Sequence, residues 1–279
     1  MFDEEALTMS LLYPKQNQEI QPGVHLIQDV NATNSPMKYT AVKVLELDAQ
    51  RSFAETLGNF EAGIVILAGK VTVTAGDQRF EGIGQRQSVF DKIPTDSVYV
   101  GTGLSFKLAA QTTAKVLIAY SPTTTSFPVR LIKGDIHQIE HRGRYQNKRL
   151  VQNILPDDLP FADKLLLVEV YTDSGNWSSY PPHRHDHDNL PTESLLEEIY
   201  YHEMQPKQGF VFQRVYTDDL SLNETMTVQN QDVVIVPKGY HPVGVPDGYD
   251  SYYLNIMAGP TRVWHFHNAP EHAWIIDRK

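Results

Sequence analysis

Short apolar or alternating runs broken by Gly, Pro, Asp and Asn recur along the whole chain, at residues 41–47, 63–73, 98–100, 115–120, 165–171, 209–216, 232–236 and 252–257. Such runs are too short to express helical periodicity and match strands that bury one or both faces. With turn signals between them, they predict an all-β chain of sandwich or barrel type. Residues 5–12 and 157–164 read as two short helices. At 279 residues the chain has room for one large or two ordinary domains, each able to bury a substantial core.

A weak internal duplication divides it. The run Glu61 to Gly69 leads through Val71-Thr72-Val73 and the turn Ala75-Gly76-Asp77 to Pro94-Thr95-Asp96, an echo of Glu198-Ile199-Tyr200-Tyr201 followed by Pro237-Lys238-Gly239. Two copies of one small barrel are expected. Ser121-Pro122-Thr123-Thr124-Thr125 has the composition of a linker, which places the boundary near 125 and the domains at 1–125 and 126–279. The polar segment 130–147, rich in His and Arg, reads either as a solvated connector or as an arm that covers the second barrel and offers it cations.

Histidine is distributed unevenly. Ten of the 11 histidines lie at or beyond His137, and only His25 precedes them. The first barrel therefore lacks metal ligands and is expected to serve as packing partner and oligomer interface. In the second, His183 and His185 flank one residue, so on a strand both imidazoles project from one face about 6.6 Å apart. Glu198 opens an aromatic run able to deliver a carboxylate to that face, and His241 follows a Pro-x-Gly turn that fixes its direction. Three imidazoles and a carboxylate suit one divalent ion, whether Zn, Mn, Fe, Co or Ni.

Composition narrows the alternatives. With no Cys, there is neither a disulfide nor a thiolate ligand, and thiol catalysis is excluded. A formal charge of -10 argues against nucleic acid as a partner, because phosphate contacts need clustered Lys and Arg. Local arginines can still draw in a small anion, since screening confines the global charge to about 8 Å at physiological salt. No apolar stretch reaches the ~18 residues that span a bilayer. Met1-Phe2-Asp3-Glu4-Glu5 lacks the basic start and apolar stretch of a secretory signal, so a cytoplasmic location is expected.

Several long strings carry a resemblance. They are Arg142-Gly143-x-x-x-Asn147-x-Arg149, Gly175-Asn176-Trp177-Ser178-Ser179-Tyr180-Pro181-Pro182-His183-Arg184-His185-Asp186, Glu193-Ser194-x-Leu196-Glu197-Glu198, Gln213-Arg214-Val215-Tyr216-Thr217-Asp218-Asp219, Pro237-x-Gly239-Tyr240-His241-Pro242 and Tyr252-Tyr253-Leu254-Asn255-x-Met257-Ala258-Gly259-Pro260. Through them nearly the whole chain after about residue 9 resembles the 5-deoxy-glucuronate isomerase family of myo-inositol degradation, bicupins related to the 4-deoxy-uronate ketol-isomerases of pectin breakdown. The resemblance implies two tandem double-stranded β-helix (jelly-roll) barrels, with a metal in the second bound by His183, His185, Glu198 and His241. Two departures from the general cupin pattern stand out. An insertion, 186–197, separates the His pair from Glu198, and the Pro-x-Gly motif lies one residue closer to its His. Glu193 and Glu197 therefore compete with Glu198, and His187, in phase with His183 and His185, competes with either.

The implied reaction converts 5-deoxy-D-glucuronate into 5-dehydro-2-deoxy-D-gluconate. A base for it is sought among His202, Tyr200, Glu193 and His187, and a cation for the substrate carboxylate among Arg214, Arg142, Arg149 and Arg262, with Arg214 preferred for its place on a strand. A metal-assisted hydride shift would need no base. Competing readings are an isomerase of a pectin-derived 4-deoxy-uronate, a dioxygenase of the same fold, and a metal- and sugar-binding module without turnover.

Overall fold

Side-chain alternation along the short runs becomes two barrels in the computed structural model, which describes residues 10–136 and 138–278. In the first half a seven-stranded sheet runs in the order Arg130–Ile132, Ser97–Val100, Phe60–Ala68, Ala114–Pro122, Ala41–Leu47, Val24–Val30, Gln18–Gln21. A four-stranded sheet, Ser52–Thr56, Ser105–Ala110, Val71–Ala75, Gln78–Ile83, closes over it, and Ile64, Ile66, Val116 and Ile118 meet Val71, Val73, Phe106 and Leu108 between the two. The second half repeats the plan. Its large sheet is ordered Leu12–Tyr13, Val233–Val236, Glu197–Gln205, Asp250–Ala258, Leu166–Thr172, Arg149–Leu155, Gln138–Arg142, and its small one Trp177–Ser178, Val243–Gly244, Phe210–Tyr216, Asn223–Gln229. The chain is a bicupin, as the duplication predicts.

The helix expectations fail. Residues 157–164 form turns, because Pro160 interrupts them and Arg262 draws the carbonyls of Leu155, Pro156, Asp157 and Leu159 to itself instead of leaving them to a helical ladder. Of 5–12, residues 5–9 lie outside the described part and Leu12 opens a strand. Helical elements among the described residues are 3₁₀ turns, the longest Pro270–Ile275. Among the described residues no helix is long and apolar enough to cross a membrane.

The halves are interleaved. Leu12–Tyr13, from the N-terminal end, pairs with Val233–Val236, while Arg130–Ile132, beyond residue 125, pairs with Ser97–Val100. On the central strands the residues that face away from each barrel, among them Val65, Leu67, Leu117 and Ala119 in one and Leu167, Ile199, Tyr201 and Leu254 in the other, merge into a single core. Two carboxylates clasp this interface reciprocally. Glu61 accepts the N–H groups of Asp163, Lys164 and Leu165 at 2.9, 2.6 and 2.8 Å, and Glu197 accepts those of Lys38 and Tyr39 at 2.8 and 2.7 Å. Glu197 is thereby committed to the interface and turned away from the second barrel's interior.

Candidate metal centre

Each proposed ligand is delivered by a different piece of local structure. His183 lies on the short strand His183–Arg184, paired with His267–Asn268. His185 follows it and trades two hydrogen bonds with Leu196: the Leu196 N–H reaches the His185 carbonyl at 2.8 Å, and His185 Nδ1 lies 3.1 Å from the Leu196 carbonyl. The insertion that separates the His pair from Glu198 folds outward as a hairpin, Asp186–Asn189 against Glu193–Leu195, and returns the chain to the barrel at Glu197–Gln205. Glu198 therefore sits at the centre of the large sheet, opposite Val236 and Met257. In the first half Ala62, opposite Val100 as Glu198 is opposite Val236, holds the matching register, so that barrel has no equivalent carboxylate.

His241 is aimed by Gly239. At φ +93° a Cβ there would be strained and would meet the Tyr216 carbonyl oxygen at 2.5 Å, so the turn requires glycine. The Gly239 carbonyl accepts from His241 Nδ1 at 2.8 Å. With Nδ1 the donor in both His185 and His241, each Nε2 carries a lone pair. These nitrogens lie 3.0 and 3.1 Å from the same oxygen of Glu198, and the other oxygen accepts from Asn255 Nδ2. Ring centroids of His183, His185 and His241 are 4.9–5.9 Å apart, and one nitrogen of each ring falls within 4.8 Å of the others. All four side chains are buried, Glu198 completely.

Buried lone pairs facing a buried carboxylate repel unless a cation lies between them or a ring is protonated. Burial would raise the Glu198 carboxyl, but His241 and His185 outweigh it and hold the group far below the usual carboxylate range. Burial, reinforced by His241 and His185, pushes His183 well down, whereas in His185 the Glu198 contact overcomes burial and raises the ring. His241 Nε2 makes no hydrogen bond among the described residues. Three nitrogens and one oxygen with these needs fit a metal ion of the borderline class.

The remaining site residues divide clearly. Tyr200 and His202 share the inward face with Glu198, both fully buried and stacked at 5.7 Å with rings 17° apart. The Tyr200 hydroxyl has no hydrogen-bond partner among the described residues. His202 holds Gln213 Oε1 at 3.0 Å through Nε2 and lies four residues from Glu198, about 13 Å along a strand, so it packs behind Tyr200 rather than beside the ligands. Glu193 and His187 are elsewhere. The chain changes ladder at His185, so alternation does not carry through to His187; it is exposed, and with Asp186 and Glu193 it forms a separate cluster around Arg184.

Of the arginines, Arg142 and Arg149 line a cleft of about 800 Å³ that has His183 in its wall, with Arg144, Tyr145 and Phe266 around it. Arg142 is bound bidentately by Glu140, at 2.8 Å twice. Arg149 spends one N–H on the Asn147 carbonyl at 3.1 Å and forms no ion pair among the described residues. Arg214 is a correction: its neighbour Gln213 faces in, so Arg214 faces out, bonded to Asn223 and stacked 4.0 Å over Tyr216. Arg262 is another, since its N–H groups reach the carbonyls of Leu165, Asp157, Leu159, Leu155 and Pro156, leaving none for a ligand. Asn255, Gln213 and Phe266, the last 4.6 Å from the His183 ring, complete the surroundings without having been singled out. Asn255 and Gln213 stand in the resembling strings, but which residues of their strands face inward is set by the sheets that they join.

His202 makes the acid stability testable. Burial lowers its pKa to about 4, against an ordinary value near 6.5 in the unfolded chain. Its contribution is therefore present above about 6.5 and lost as pH falls toward about 4, amounting to about 3 kcal/mol. Urea unfolding across this window should show a steeper loss for the wild type than for His202→Gln, which cannot titrate; parallel curves would refute it.

Comparison with known proteins places these observations. A model of the KduI/IolB family matches residues 11–275. A Lacticaseibacillus casei protein named 5-deoxy-glucuronate isomerase is 81% identical over 97% of this chain and 100% of its own length. The crystal structure of an IolB-like protein from Salmonella typhimurium LT2 superposes with a TM-score of 0.91 at 45% identity, covering 96% of this chain and 99% of that one. The Lactobacillus farciminis oxalate decarboxylase formate complex, at 13% identity and a TM-score of 0.68 over 97% of this chain and 91% of that one, shares the bicupin fold.

Proposed function

The chain belongs to the KduI/IolB family, and on that premise we propose that it is a 5-deoxy-glucuronate isomerase whose reaction takes place where the arginine-lined cleft meets His183, His185, Glu198 and His241. The observation that carries the reading is the convergence of three imidazoles and one carboxylate in a buried pocket beside Arg149, which has no carboxylate partner among the described residues. Division into a metal-free barrel, 1–125, and a metal-binding one, 126–279, is part of the same reading.

The substrate's aldehyde and neighbouring hydroxyl exchange oxidation level with no net loss of electrons: one hydrogen moves from C2 to C1, as a proton relayed by a base in the pocket or directly as a hydride, and one moves from the C2 oxygen to the C1 oxygen. A divalent ion held by the four ligands, whether Zn, Mn, Fe, Co or Ni, would supply Lewis-acid stabilisation of the oxyanion worth several kcal/mol. Tyr200 handles the oxygen-bound proton. Its hydroxyl is buried and unpartnered among the described residues, and burial, then the nearby Glu198 charge, keeps it protonated, so it donates to the C1 oxygen as negative charge develops there and takes back the proton that the C2 hydroxyl gives up. His202 and Tyr253, packed on the Tyr200 ring, hold it in place.

Arg149 receives the distal carboxylate. Arg149→Ala is expected to raise KM by about 10- to 100-fold, the worth of a charge-assisted pair, with kcat little changed. Arg149→Lys should fall between, and Arg214→Ala should match the wild type; a silent Arg149→Ala removes that residue from the site. The reading as a whole is tested by following 5-deoxy-D-glucuronate by NMR with metal-stripped and metal-reloaded protein in deuterated solvent. Conversion only after reloading, with deuterium entering the product, is expected. No conversion, or faster turnover of a 4-deoxy-uronate, overturns it, and unlabelled product would favour a hydride shift.

A further inference from the structure

Asp186 directly follows His185, yet it is neither one of the four ligands nor a part of the reaction above. Its side chain is 8% exposed, and Oδ2 accepts the Gly239 N–H at 2.7 Å. Gly239 is the residue whose carbonyl orients His241. One carboxylate oxygen thus joins the chain beside one ligand to the peptide that aims another. Asp186 is anchored in turn, because its own N–H donates to Glu193 Oε1 at 3.0 Å and the paired bonds between His185 and Leu196 brace the base of the same hairpin.

Resting on the metal reading above, we propose that Asp186 is a positioning residue that locks the Gly239 turn and so holds His241 with Nδ1 protonated and Nε2 toward Glu198. A left-handed glycine has no side chain to restrict its flanking peptides, so the carbonyl that orients His241 is only as well placed as the N–H that fixes the turn. A buried carboxylate supplies a charge-assisted bond there, stronger than one to a neutral acceptor. Outer partners of this kind set ring orientation and metal affinity.

The competing explanation is purely electrostatic. Asp186 Oδ1 lies 2.5 Å from His187 Nδ1 and 3.5 Å from Arg184 Nε, and on this explanation the residue serves only to balance those charges. Asp186→Asn separates the two roles, for it keeps an oxygen for the Gly239 N–H and removes the charge. In the full-length protein, Zn²⁺ affinity measured by chelator competition should fall by about 10- to 100-fold in Asp186→Ala and stay within about threefold of wild type in Asp186→Asn. Nitrogen-15 spectra of His241 should show a single Nδ1–H tautomer in wild type and Asp186→Asn, and a mixture in Asp186→Ala. Wild-type zinc affinity in Asp186→Ala, or a tenfold or larger loss in Asp186→Asn, overturns the proposal. Should Asp186→Ala not fold, the Asn variant decides alone. The tautomer readout needs neither zinc nor substrate, so protein that binds the ion without isomerising would sink the functional reading and leave this one standing.

Discussion

His183→Ala and His241→Ala are each expected to release the bound ion and lower kcat/KM for 5-deoxy-D-glucuronate by about 10³-fold or more, taking several kcal/mol of transition-state stabilisation at a factor of ten per 1.36 kcal/mol. Either change removes one of three nitrogens, and loss of His241 also takes away one of the two imidazoles beside the completely buried Glu198. Elemental analysis of the purified variants reads out the ion and NMR the turnover. Full activity in a variant free of metal would defeat the mechanism. Neither substitution should unfold the protein, because the ligands occupy the inside of the second barrel while the core that joins the halves lies on the other face of its large sheet.

The second large effect concerns that joining core. Arg86, from the first half, and Glu169, from the second, are both fully shielded from solvent and meet at 2.5 Å, with a further contact at 3.1 Å. The Tyr171 and Tyr252 hydroxyls bond to the same pair at 2.9 and 2.7 Å, and Arg86 Nε reaches the Leu67 carbonyl at 3.0 Å. Removing one partner strands the other's charge in a medium that solvates it poorly, so Arg86→Met and Glu169→Leu are each expected to cost about 3–5 kcal/mol of stability. Replacing both together should cost less than the sum of the two, since no isolated charge remains.

Urea unfolding followed by far-ultraviolet circular dichroism gives the magnitude. All three tryptophans, Trp177, Trp264 and Trp274, lie in the second half, so their fluorescence reports that half alone. Coincident fluorescence and dichroism transitions in the wild type are expected from the shared core and the reciprocal clasps at Glu61 and Glu197. Separate transitions would show that the halves fold independently.

How far the site could be read in advance varied with the kind of signal. Alternation along a continuous strand is local, and it placed Tyr200 and His202 on the face of Glu198 and turned Glu197 away. The same rule failed for His187, because the ladder is interrupted after His185 and alternation holds only while a strand keeps its partner. Arg214, preferred for its place on a strand, faces out: Gln213 is the inward residue of that strand, and knowing which of two neighbours faces in requires the partner sheet. Arg262 was indistinguishable in sequence from a substrate-binding arginine, since the carbonyls that occupy it come from a loop about a hundred residues away.

Composition and pattern alone determined that this chain is all-β, duplicated, free of thiol chemistry and histidine-rich in its second half, because strand period, turn residues and residue counts are properties of the chain itself. Tertiary structure alone decided which carboxylate stands beside the imidazoles, which arginines line the cleft, and that the two halves exchange edge strands across one core. Those outcomes depend on which distant backbone groups and side chains satisfy each buried polar atom. That pairing exists only once the chain has closed on itself.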